Sequence, residues 1–241
     1  MRLDIGSLFA AMLAAWPILT NAYTYERLDR ETAAVAIIDH QVGLFQLVRD
    51  FDQAHFREQM YGHARLAKAF NLPVVLTSSA QLGPNGPLPQ EIIDMFPDAP
   101  LIQRQGEVNA MDSPEFREAL ASLNRTQIIV GGIATDVCTT FAALSMVEAG
   151  YSVYANSDAS GTTSALARDL SNQRMINAGV HLLSPFAIFG ELMRDWRTPP
   201  EGDDVYPLLE SILPAAGMLT RGHGYAVEYG KVLPGQDKLP W

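Results

Sequence analysis

From Ala34 onward, short apolar runs alternate with segments whose apolar residues recur at helical spacing. Ala34-Val-Ala-Ile-Ile-Asp39 is a continuous apolar run ended by a charge, the pattern of a strand buried on both faces. Ala54 to Asn71 carries Phe56, Met60, Ala64, Leu66, Ala67 and Phe70 at helical spacing, and Pro73 to Thr77 predicts a second strand. A Gly- and Pro-rich loop, Gly83 to Pro87, precedes a short helix over Pro89 to Phe96. Leu101-Ile102 reads as a short strand, and Ser113, Pro114 and Glu115 open a helix. Gln127 to Val130 predicts a strand, and Asp136 to Ala149 a helix closed by Gly150. Tyr151 to Ala155 is a strand, Ser164 to Ala178 a helix closed by Gly179, Val180 to Leu183 a strand and Pro185 to Trp196 a helix.

Strands alternating with helices of ~10–15 residues predict parallel strands joined by right-handed crossovers. The expected class is α/β, a three-layer α/β/α sandwich around about six parallel strands. Such sheets bind ligands beyond the carboxyl ends of their strands, near a topological switch point. Residues 26–198 form the expected domain. The segment 199–241 is Pro-rich and predicts at most one short helix, around Val205 to Leu213, in a tail that wraps the domain or reaches across a subunit interface.

Composition narrows the function. The chain has 241 residues, 48% hydrophobic and 18% charged, which excludes wholesale disorder. A net charge of −10 without any basic run leaves no footprint for nucleic acid or an anionic membrane. One cysteine excludes an intrachain disulfide and a Cys-rich zinc site, and a lone thiol suits the cytoplasm. Residues 1–25 are read as an apolar arm that packs on the domain or on a neighbouring subunit. A cleaved signal, with a periplasmic or secreted product, is the alternative for residues 1–22. Asp4 and Pro17 count against that alternative, and the apolar stretch is too short to span a bilayer.

Three residues follow strands. Asp39 is either a turn residue or a functional carboxylate. Arg104 is either a surface arginine or a site cation. Cys138 follows Gly131-Gly-Ile-Ala-Thr-Asp-Val137, where two glycines permit a tight turn and Thr135 or Asp136 can cap the next helix. That places the thiol in a first helical turn, where unpaired N–H groups and the helix dipole lower its pKa. An inert buried cysteine is the other reading. Taken together, Cys138 is a candidate nucleophile, Asp39 its base and Arg104 the group that holds both, with the N–H groups of Ala134 and Cys138 as an oxyanion hole. None of His40, His55, His63, His181 and His223 stands in a Cys–His signature, and His40 is read as structural.

The motifs Ile38-Asp-His-Gln41, Gly83-Pro-Asn-Gly-Pro-Leu88, Arg104-Gln-Gly-Glu-Val-Asn-Ala110, Gly131-Gly-Ile-Ala-Thr-Asp-Val-Cys138, Asp158-Ala-Ser-Gly-Thr162 and Phe189-Gly-Glu-Leu-Met-Arg-Asp-Trp196 resemble the isochorismatase-like cysteine hydrolases, in particular their YcaC-type subgroup. The family includes nicotinamidases and N-carbamoylsarcosine amidase. The resemblance covers roughly Tyr25 to Trp196. It implies a six-stranded parallel sheet, an Asp–basic–Cys triad on Asp39, Arg104 and Cys138, a cis peptide at Ile133–Ala134, and tetramers or octamers. Most of the family has lysine where this chain has Arg104, and arginine does not give up its proton. Nicotinamidases carry an Asp-x-His metal set after the second strand. Here Thr77-Ser-Ser-Ala-Gln81 offers no ligands, so neither metal nor cofactor is expected. Isochorismatases proper lack the nucleophilic cysteine, so Cys138 implies acyl chemistry on a C–N bond of a small amide or carbamoyl compound. Gln41, Phe45, Asn109 and the Ser78 to Gly86 loop are candidate pocket walls. The alternatives are an oligomeric thiol protein that senses oxidants or binds a metabolite, and a structural domain with a buried, unreactive Cys138.

Overall fold

The computed structural model describes residues 25–197 and 205–231. Six strands alternate with helices: β1 (Ala33–Ile38), α1 (Gln53–Ala69), β2 (Val74–Ser79), α2 (Gln90–Met95), β3 (Leu101–Arg104), α3 (Pro114–Ser122), β4 (Gln127–Gly132), α4 (Thr140–Glu148), β5 (Ser152–Asn156), α5 (Ala165–Asn177), β6 (His181–Leu183) and α6 (Pro185–Met193). All strand pairs are parallel, in the order β3-β2-β1-β4-β5-β6. The order reverses between β1 and β4, and the crevice there opens at the carboxyl ends of both strands.

The apolar run of β1 is fully buried because each face meets a core. Val35 and Ile37 pack with Leu76 and Ile129 under α1 and α6, while Ala34, Ala36 and Ile38 join Ile128, Val130 and Val153 under α3, α4 and α5. This period of two is what a strand between two helical layers requires. Asp52 caps α1, Ser113 caps α3 ahead of Pro114, and Ser164 and Ser184 cap α5 and α6, each side-chain oxygen taking an otherwise unpaired first-turn N–H.

Several boundaries differ from the sequence expectation. β3 runs on to Arg104, and β4 includes Gly131 and Gly132, so the glycines end the strand and do not form a turn. Their use is close approach: a Cβ on Gly132 would lie 2.4 Å from the Ile38 carbonyl oxygen. The expected single helix from Asp136 begins as a wide π-helical turn, Thr135–Thr139, before α4, and neither Thr135 nor Asp136 caps it. Asp136 instead accepts from Thr162 Oγ1 at 2.6 Å. α6 stops at Met193, where Arg194 takes a φ of 60°.

The tail holds two helices where at most one was expected, α7 (Val205–Ile212) and α8 (Pro214–Glu228). Val205, Leu208, Leu209 and Ile212 are buried in the α1 and α6 core, and Gln59 Nε2 donates to the Ile212 carbonyl at 3.1 Å. The tail therefore wraps its own domain. The expected arm, residues 1–25, lies outside the described residues up to residue 24. No helix among the described residues is long and apolar enough to cross a membrane.

Candidate active site

Asp39, Arg104 and Cys138 come together at the carboxyl ends of β1, β3 and β4. Asp39 is the residue after β1, and its φ of 53° turns the chain out of the strand. Its backbone is pinned by its own N–H to the Thr77 carbonyl (3.1 Å) and by Gln41 N–H to the Asp39 carbonyl (2.7 Å). The register of β2 and β3 pairs Ser79 with Arg104, which aims the arginine across the sheet edge toward Asp39.

The Asp39 and Arg104 side chains have no solvent exposure at all, and Arg104 Nη2 donates to Asp39 Oδ2. Arg104 Nε donates to Thr77 Oγ1 at 2.9 Å, and Nη1 donates to the Glu107 carbonyl. Thr77 Oγ1 in turn donates to the Ile102 carbonyl at 2.9 Å. The guanidinium is thus bolted at three corners. Asp39 Oδ1 is buried without a hydrogen-bond partner meeting ordinary geometry, and the Cys138 thiol is the group beside the carboxylate that interacts with it.

Cys138 is half-buried in the π-helical turn, one side against the α4 core. The Ala134 N–H points at its sulfur. The peptide bond between Ile133 and Ala134 is cis. Ala134 also receives the N–H groups of Val137 (3.2 Å) and Thr139 (3.1 Å) on its carbonyl, which fixes the turn around the sulfur.

The electrostatics correct one expectation. The helix start does not acidify Cys138: burial and the adjacent Asp39 charge push the thiol up to about 12, against smaller opposing effects from the Ala134 N–H and Arg104. Burial also raises the Asp39 carboxyl above its ordinary value, and Arg104 opposes that by charge and hydrogen bond. Burial thus favours the neutral form of both groups, and Arg104 opposes it at the carboxylate.

The expected pocket walls have intramolecular partners of their own. Gln41 donates from Nε2 to the Ser79 (3.0 Å) and Gly86 carbonyls and accepts the Ser79 N–H on Oε1 at 2.9 Å, so its amide ties down the Ser78 to Gly86 loop. Phe45 stacks on Phe56. Gln41 and Phe45 line a cavity of about 190 Å³, but Arg57, Met60 and Tyr61 of α1 form its far side, and neither Asp39 nor Cys138 borders it. Asn109 donates to Ser145 Oγ at 2.9 Å and accepts from the Met111 N–H, which fixes the segment after β3 to α4. These three residues brace the surroundings of the triad.

Sequence reasoning missed Thr77, which holds Arg104, and the Ser157 to Thr162 loop, which holds the Ala134 turn. Gly161 accepts the Thr135 N–H at 3.0 Å and donates to the Gly132 carbonyl at 3.3 Å. The only signal for that loop was its motif, Asp158 to Thr162, which names no chemistry by itself. Among the described residues no group of three or more His, Cys, Asp or Glu stands together as a metal site.

A family model described as the isochorismatase domain matches residues 33–185. The probable hydrolase YcaC of Escherichia coli is 44% identical over 178 residues, 74% of this chain and 86% of that protein. A structure of YcaC from Pseudomonas aeruginosa, with hexane-2,5-diol and covalent acrylamide, is 42% identical with a TM-score of 0.80, covering 84% of this chain and 100% of that one. The Escherichia coli YcaC structure, an octameric hydrolase of unknown specificity, is 40% identical with a TM-score of 0.81, covering 85% of this chain and 99% of the other.

Proposed function

This chain belongs to the isochorismatase family of hydrolases, and on that premise we propose that it cleaves the C–N bond of a small amide or carbamoyl compound through a thioester on Cys138. The observation that carries the reading is the contact of a buried, Arg-paired carboxylate with a thiol whose sulfur faces the Ala134 N–H.

In the first step Asp39 takes the thiol proton as sulfur attacks the carbonyl carbon. The negative charge passes to the carbonyl oxygen, where the N–H groups of Ala134 and Cys138 receive it. Asp39 then gives that proton to the leaving nitrogen as the C–N bond breaks. Ammonia or amine departs, and a thioester and an ionised Asp39 remain. Water loses a proton to Asp39 and attacks the thioester; the C–S bond breaks, and the proton returns to sulfur as the acid leaves. Arg104 takes no proton, since arginine stays charged throughout.

A thiol held at about 12 argues against the alternative of a redox sensor, which needs a standing thiolate. The Pseudomonas aeruginosa relative carries covalent acrylamide, an electrophile of the kind a nucleophilic thiol captures. The octamer of the Escherichia coli relative supports a homo-oligomer here as well, and the lone thiol is consistent with a cytoplasmic site. The test is a panel of small amides and carbamoyl compounds scored for ammonia or amine release, with intact mass to catch an acyl adduct. Turnover that disappears in Cys138→Ala, with an unchanged melting temperature, is the expected result. Full activity in that variant on the same substrate would overturn the mechanism.

A further inference from the structure

The two halves of the triad sit on different strands, and the distance between them must be held. Asp39 belongs to the end of β1; Cys138 and the Ala134 N–H belong to the turn after β4. His40 lies next to Asp39, fully buried, its ring edge-on to His63 (centroids 5.9 Å apart) and to Phe56 (6.5 Å). Its Nε2 meets the Ala159 carbonyl at 2.8 Å. Ala159 stands in the loop whose Gly161 clamps Gly132 and Thr135 on either side of the cis Ile133–Ala134 bond, and whose Thr162 hydroxyl holds Asp136.

One continuous set of contacts therefore runs from the backbone beside the base, through the imidazole, to the turn that carries the oxyanion donor. A hydrophobic side chain would fill the same volume, but it would leave the Ala159 carbonyl without this donor. His40 also carries a cost that a pure packing residue would not: Nδ1 is buried with no partner. An unmade hydrogen bond in a core is destabilising, so the Nε2 bond is the polar contact that distinguishes His40 from an apolar residue of its size.

The geometry points to His40 as a positioning residue that sets the separation between Asp39 and the Ala134 N–H. It touches no reacting atom. The inference rests on the acyl-transfer reading of Cys138, and it deepens that reading by naming what aligns base and oxyanion donor. Burial keeps His40 neutral, pushed down to about 3, and His63 behind it is pushed down to about 4. The Nε2–H donor is therefore present at any ordinary working pH.

Two probes of Cys138 separate positioning from folding. p-Nitrophenyl acetate acylates the thiol: the S–C bond forms, the C–O bond breaks, p-nitrophenolate leaves and Asp39 accepts the thiol proton. That transfer uses the Ala134 N–H. Iodoacetamide alkylates the same sulfur with loss of iodide and develops no oxyanion. A misplacement of ~1 Å in a reacting geometry costs about 100-fold. His40→Phe is thus expected to lower the ratio of acylation to alkylation rates at least tenfold, and His40→Gln, whose amide restores a donor toward Ala159, to bring the ratio back within about threefold. If His40→Phe does not fold, His40→Asn, whose amide falls short of Ala159, takes its place. Equal changes in both rates, or a lower melting temperature with an unchanged ratio, would overturn the positioning role alone. A wild-type chain that is alkylated but never acylated would overturn the acyl-transfer reading, and this inference with it.

Discussion

Replacing Asp39 by asparagine should separate two things the carboxylate does to Cys138. As a base it receives the thiol proton; as a charge it opposes the thiolate. The variant keeps the shape and loses both, so hydrolysis should fall by about 100- to 10,000-fold, the usual worth of a positioned base. The thiol itself should become more acidic. Burial and the Asp39 charge together hold it at about 12. Unit charges ~4 Å apart interact by about 4 kcal/mol at an effective dielectric of ~20, equivalent to about three pKa units at roughly 1.4 kcal/mol each. Each unit lost gives about ten times more thiolate and about threefold less intrinsic nucleophilicity, so iodoacetamide labelling at about pH 9 should rise roughly 10- to 30-fold.

The pH dependence adds a second signature. In the wild-type chain, internal transfer of the proton from Cys138 to Asp39 supplies a thiolate whose amount is independent of pH, so labelling flattens toward neutral pH. In the variant only solvent can take the proton, and labelling falls about tenfold per pH unit below the thiol pKa. Asparagine also leaves Arg104 buried without its counter-charge, at a cost of about 3–5 kcal/mol, so a thermal melt is run on the same sample. Labelling rates come from intact mass across about pH 6 to 10. A folded Asp39→Asn protein that labels more slowly than wild type in the range where wild-type labelling still rises with pH would refute the claim that Asp39 holds the thiol neutral.

Further outcomes follow from the same geometry. The active form carries one proton on the Asp39–Cys138 pair, so kcat/KM should fall as pH drops through the raised Asp39 pKa and should show no alkaline limb until the thiol ionises near 12; a pH–rate profile with a limb near 8.5 would contradict this. Thr77→Val removes the acceptor of Arg104 Nε and should cost about 1–3 kcal/mol in urea denaturation, with a larger relative loss of turnover than of stability. Gly132→Ala drives a Cβ to 2.4 Å from the Ile38 carbonyl oxygen and 2.8 Å from Thr139 Oγ1 and should destabilise by about 3 kcal/mol or more, read by thermal melting. Leu209→Ala, in the buried face of α7, should cost about 2–5 kcal/mol in the same assay.

Element order and sheet class were legible because β1, β2, β4 and β5 are buried on both faces and so read as apolar runs, while the helices between them keep their amphipathic spacing. That Asp39, Arg104 and Cys138 come together was legible because all three fall at strand ends. What escaped is the part set by neighbours in space. Arg104 looks like a surface residue in the sequence because nothing local shows that Thr77 and Asp39 will meet its guanidinium. Gly131 and Gly132 read as a turn, yet they end β4 where a Cβ would crowd His63 and Ala159 at Gly131 and Ile38 at Gly132. The thiol pKa went the wrong way because a helix start is a local feature, whereas desolvation and the Asp39 charge are tertiary and larger. α8 was missed because glycines and Pro214 interrupt a segment that closes into a helix beside the docked α7.

The arginine decides how proton traffic must run. A lysine at this position could titrate and lend a proton to the leaving group. Arg104 cannot, and three of its donors are already spent on Thr77, Glu107 and Asp39. Its contribution is electrostatic: by charge and hydrogen bond it opposes the burial that raises the pKa of the enclosed carboxylate. In the proposed reaction, with the cation fixed, Asp39 is the group that takes the thiol proton and hands it on, so each proton transfer passes through one carboxylate. That places a strict demand on the geometry between Asp39, the sulfur and the Ala134 N–H, because no second acid can compensate for a misplaced first one. The dense bracing by Gln41, Asn109, His40 and the Ser157 to Thr162 loop is the structural counterpart of that demand.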